Sequence, residues 1–195
     1  MKILKNNSYD VVRLIINQIG ISIFALVLYT SMGFIGENNT ELASLLQVAF
    51  SVFSVIFYYA LIYNVVWEIG AKDSVQIENG KAPLVYLKGM WLAFFANVPN
   101  IIITLLATFT KLVYIFTGIE GFNTAFFIFN LIMRFVLSMY IGVISAITSP
   151  FSQILDIYLI QSIAYVIIPL LSLIVCQAAY TLGRKNFRIF NKSSN

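Results

Sequence analysis

Arg134 is the residue in this sequence best placed for specific chemistry. It interrupts an apolar stretch, and a charge near the middle of a bilayer costs a few kcal/mol unless it meets a partner, water or an anionic ligand. On a helix lying flat in the interface, the same side chain would reach lipid headgroup phosphates. Asn97, Pro99 and Asn100 form a second constellation. Proline removes a helical hydrogen bond. Transporters use such breaks to present carbonyls to ions or substrates, whereas ordinary spans have the freed groups satisfied by neighbouring helices. Glu68, Lys72, Asp73, Glu78 and Lys81 form a third. They could dock a soluble partner, for instance a motor subunit of a transport machine, or pair locally in solvent at little gain.

The remaining chemistry is sparse. With no histidine in 195 residues, His-dependent triads and the common zinc sites are excluded. Cys176 is the single cysteine, so no internal disulfide forms, and its apolar neighbours suggest a buried, inert thiol. There is no Gly-x-Ser-x-Gly elbow and no pair of acids inside an apolar stretch. Asp156 is isolated, and a Ser–Lys dyad on Lys111 is unmarked by its surroundings. Gly80-Lys81 is not a phosphate loop, because Val75 stands where glycine is required and Ala82 replaces Ser or Thr. Asn38-Asn39-Thr40 is a formal glycosylation sequon. No catalytic residue, metal or cofactor is expected.

The elements that must position these residues are membrane helices. The chain is 60% hydrophobic and 10% charged, against roughly 25% charged in soluble domains. Surface-to-volume scaling leaves a soluble fold of this size unable to bury so much apolar surface. The expected fold is a single, all-α, polytopic helical bundle over residues 1–195. Its apolar segments run at about 11–34, 42–69, 89–116, 122–147 and 157–182. Each exceeds the roughly 20 helical residues that cross a bilayer. The first is longer than the roughly 7–15 residues of a signal-peptide core and reads as a retained span. A polar loop at 70–88 separates the second and third. Asn79-Gly80 marks a turn there, with a short hairpin allowed by Val75, Gln76 and Ile77. A basic tail covers 183–195. Asn17, Gln18, Asn64 and Gln177 read as hydrogen-bonding groups between helices, and no Gly-x-x-x-Gly pairing motif occurs.

Charge and length disagree about topology. Lys2, Lys5 and Arg13 flank the first segment, and Arg184, Lys185, Arg188 and Lys192 follow the last. The positive-inside rule places both termini in the cytoplasm, which requires an even number of crossings. Five segments give an odd number. The turn at Glu120 and the stretch from Thr148 to Asp156 hold no Lys or Arg, so the segment between them starts and ends on the non-cytoplasmic side. Its Asn123, Asn130, Arg134, Ser138, Ser145 and Ser149 recur near helical spacing as a polar stripe. The favoured expectation is four crossings plus one interfacial or re-entrant helix; the alternative is five crossings with the stripe facing other helices.

Trp67-Glu68-x-Gly70-Ala71-Lys72-Asp73, then Gly80-Lys81, Lys88-Gly89 and Pro99, with Ala179-Tyr180-Thr181-Leu182-Gly183-Arg184-Lys185 at the end, resemble the pattern of small bacterial polytopic membrane proteins. The resemblance implies a bacterial plasma-membrane location and carries no activity or site residues. The expected partners are membrane lipids and other membrane or soluble subunits, and not nucleic acid. The expected function is a non-catalytic accessory or permease-like subunit. The alternatives are a self-contained transporter or channel and an intramembrane enzyme, which would need Lys111, Arg134 and Asp156 to converge.

Overall fold

In the computed structural model, which describes residues 7–36, 40–81, 83–151 and 157–187, the chain is all-α. Asn38, Asn39 and Asp156 lie outside the described residues, as do the basic residues Lys2, Lys5, Arg188 and Lys192. The helices are α1 (Ser8–Gly36), α2 (Thr40–Glu78), α3 (Lys88–Thr117), α4 (Glu120–Val136), α5 (Ile141–Thr148) and α6 (Ile157–Arg184). Short 3-10 turns follow α4 and α5 at Ser138–Tyr140 and Ser149–Phe151. Four helices, α1, α2, α3 and α6, are long and apolar enough to cross a membrane.

The bundle is arranged as the bilayer demands. On α6, Ile163, Ile167, Leu171 and Ile174 face outward. Its buried face is Ser162, Tyr165, Pro169, Ser172, Cys176, Ala179, Tyr180 and Gly183. Lipid tails reward the bulky aliphatic side, so helices associate through small and polar residues that allow close packing and hydrogen bonds. Close packing is achieved with glycines. A Cβ at Gly183 would overlap the carbonyl oxygen of Trp67 on α2, and one at Gly70 that of Tyr180 on α6. This crossing seals α2 to α6 near the basic end of the bundle.

Two expectations need correction. Residues 70–78 are not loop or hairpin: α2 continues through them to Glu78, and no strand occurs among the described residues. Ala71 to Glu78 contains no helix breaker, so polarity there marks emergence from the apolar zone rather than an end of the helix. The helix stops at Asn79-Gly80, where Gly80 takes a positive φ of 68°, a conformation glycine adopts without Cβ strain. Nor is the segment 122–147 one helix. It breaks at Leu137, and the pair of pieces is bent by 80°.

The bent pair reaches into the middle of the bundle. Ser22 is the middle residue of α1, and its hydroxyl donates to the carbonyl of Val136 at the end of α4 (2.5 Å). Over Glu120–Val136, α4 rises about 24 Å from the far end of α3 and packs along it. It therefore descends to mid-bundle rather than lying across the end. After the bend, Gly142 sits against the backbone of Gln47, one turn nearer the far end of α2 than Ser51. Past the bend the chain runs at 80° to α4, and α6 begins on the far side and runs to the basic end. Arg13, Lys72, Lys81, Lys88, Arg184 and Lys185 share that basic end; Lys111 and Arg134 are the remaining described cations.

Candidate functional site

The break after α4 is buried: Leu137, Ser138, Met139 and Tyr140 are each 4% exposed or less. Unpaired backbone groups in a membrane interior are costly, and here three serines meet them. Ser22 holds the Val136 carbonyl. Ser138 donates to the carbonyl of Ser22. Ser51 on α2 donates to the Met139 carbonyl (2.6 Å) and accepts from the Val143 amide (3.1 Å). A cavity of about 10 Å³, lined by Tyr29, Gln47, Ser51, Ser138 and Gly142 among others, touches the break. Tyr29 and Gln47 also line a recess of about 370 Å³ toward the far end, together with Thr30, Thr40 and Ser44.

One turn toward the basic end lies a buried amide chain. Asn100 Nδ2 donates to Gln18 Oε1 (3.0 Å) and to Asn97 Oδ1 (3.2 Å). Asn97 Nδ2 donates to Ser172 Oγ (2.9 Å) and to the Ala93 carbonyl (2.9 Å). The chain ties α1, α3 and α6 together beside Pro99, which lies inside α3. Gln18 Nε2 and Ser54 Oγ are buried without a partner.

At the basic end, Asp73 Oδ2 accepts from Lys88 Nζ (2.7 Å) and from the Tyr180 hydroxyl (2.8 Å). This clamp joins α2, α3 and α6. Glu68 pairs with Arg13 of α1 at 3.2 Å in a more open setting. Glu78 accepts from Ser74. Glu68, Asp73 and Glu78 are thus engaged within the chain, whereas Lys72 and Lys81 are exposed. A groove of about 540 Å³ opens here. It is lined by Asn7, by Tyr9, Asp10 and Arg13 of α1, by Lys72, Asp73 and Gln76 of α2, and by Lys88 and Tyr180.

Arg134 sits on the last turn of α4, within a turn of the break. Its Nη2 donates to Gln161 Oε1 of α6 (3.0 Å), and its Nε is buried without a partner. Among the described residues, no carboxylate lies within ion-pair reach of it. Lys111 packs on the rings of Phe126 and Tyr158, each 5.2 Å to the centroid, a cation–π arrangement. Phe126 precedes Arg134 by eight residues, about 12 Å along the helix, so the two cations do not converge.

The structure therefore brings Asn97 and Asn100 together, with Gln18 and Ser172 as partners, and holds Arg134 apart from them on another seam. Ser22 and Ser51 carried no signal in sequence, because isolated serines in apolar helices are common; only the position of the break gives them a role.

This arrangement defines a multi-pass α-helical membrane protein with four helices long and apolar enough to cross the bilayer and one bent helix pair. Comparison with known proteins gives no matching family model, no matching curated protein and no matching solved structure.

Proposed function

We propose that the chain is a non-catalytic, permease-like subunit of a membrane complex, lying in the plasma membrane with its basic end in the cytoplasm. The observation that carries this is the helix break held mid-bundle by Ser22 and Ser51. Broken helices within a bundle are tolerated where protein surrounds them or a polar path runs by them, and they recur at the substrate sites of transporters. Recesses open at both ends: the far one shares Tyr29 and Gln47 with the small pocket at the break, and the groove opens on the basic side. The buried amides of Gln18, Asn97 and Asn100 lie between. The excess of Lys and Arg at the basic end supports the orientation. The exposed helical end of α2, with Lys72 and Lys81, offers a surface for a soluble subunit.

The test is isolation from native membranes in mild detergent, followed by identification of companions. The expected result is a stoichiometric partner, lost when Lys72 and Lys81 are changed to glutamate. Recovery of the chain alone overturns the subunit reading. Two recesses on one chain favour self-contained transport as the second reading, which solute flux in liposomes holding only this chain would establish.

A further inference from the structure

We infer that Arg134 and Gln161 form a binding site for a small oxyanion, carboxylate or phosphate, on the seam between α4 and α6. The inference names the class of solute for the permease reading above and rests on that reading only for transport, not for binding.

Arg134 is permanently charged, yet its one described partner is the neutral carbonyl oxygen of Gln161. Its Nε–H is buried and meets no acceptor. The two described ion pairs, Asp73–Lys88 and Glu68–Arg13, lie at the basic end and leave nothing for it. A guanidinium donates through a planar fork that matches two oxygens of one carboxylate or phosphate. The other arm of the Gln161 amide is a neutral donor beside it.

Gln161 is the fifth residue of α6, one turn from its start, so the guanidinium reaches from the last turn of α4 toward the far side of the bundle. A soluble oxyanion and a lipid phosphate present the same acceptors to the fork, and the arm with anionic vesicles tells them apart.

The experiment is thermal unfolding of the purified full chain, titrated with sodium phosphate and sodium succinate against sodium chloride at matched ionic strength. Saturable stabilisation by either oxyanion is expected, absent in Arg134→Gln and about tenfold weaker in Arg134→Lys, which keeps the charge without the fork. Absence of stabilisation in the wild type, or stabilisation that Arg134→Lys and Gln161→Ala leave unchanged, overturns the site. Stabilisation only by vesicles of anionic lipid assigns the guanidinium to a headgroup and overturns it too. Asp156→Asn is the last arm: if it destabilises as Arg134→Gln does, and the double variant is no worse, the counter-charge is internal and the inference fails. Binding without flux in liposomes would leave the site standing and remove only the transport reading.

Discussion

Ser138 donates its hydroxyl to the carbonyl of Ser22, 116 residues away in sequence, while the hydroxyl of Ser22 donates to the carbonyl of Val136. The helix break and the centre of α1 thus hold each other by reciprocal side-chain-to-backbone bonds. Both bonds meet carbonyls at a buried break, so the geometry of the break depends on these hydroxyls.

Ser51→Ala removes a donor to Met139 and an acceptor for Val143. An orphaned buried group costs about 1–3 kcal/mol. Thermal unfolding in detergent should show that loss for Ser51→Ala. It should show almost none for Ser44→Ala, an exposed serine that bonds only the Glu41 carbonyl of its own helix. Equal effects would mean that Ser51 does not secure the break.

Gly183→Ala should separate α2 from α6. The added methyl would overlap the Trp67 carbonyl, and overpacking of this kind costs about 1–3 kcal/mol. Gly20→Ala is the control, because nothing lies within 4 Å of its Cβ position. The yield of monodisperse protein should fall for the first substitution and hold for the second.

Double-mutant cycles should rank the two ion pairs. The Asp73 and Lys88 side chains are 14% and 13% exposed, those of Glu68 and Arg13 47% and 40%. Coupling of about 2 kcal/mol is expected for the enclosed pair and below about 1 kcal/mol for the open one. A larger value for Arg13–Glu68 would contradict the enclosed clamp.

Cysteine labelling decides the course of α4 and α5. In a Cys176→Ser background, single cysteines at Gly118 and Phe151 should react with a membrane-impermeant maleimide from the same side, and one at Lys81 from the other. Labelling of positions 118 and 151 from opposite sides would make the bent pair a fifth crossing. A reporter fused after Asn195 should likewise read as cytoplasmic.

The membrane class, the four long helices and the odd behaviour of the fourth stretch were legible in sequence, because they depend on apolar length and on where Lys and Arg are missing. The site of the break was not. Leu137-Ser138-Met139-Tyr140 contains no proline or glycine, so the bend is made by tertiary hydrogen bonds to Ser22 and Ser51, which no local pattern encodes. The polar stripe from Asn123 to Ser149 assumed one continuous helix and loses its meaning at the bend, where Ser138 turns to α1. Asn97 and Asn100 stood out through their proline neighbour, but their partners Gln18 and Ser172 come from helices distant in sequence. The end of α2 was misjudged because its polar residues resemble loop composition while keeping helical propensity.

The length of α2 has a mechanical consequence. Ser51 holds the break and Asp73 holds the clamp beside the groove, and both belong to this one helix. Twenty-two residues separate them, about 33 Å of rod, with no proline and only Gly70 between, itself pinned against α6. Such a rod has no built-in hinge. With the α2–α6 crossing as fulcrum, a small tilt at the far end is returned as an opposite swing of the lysine-bearing tip at the basic end, so whatever grips that tip has leverage on the break.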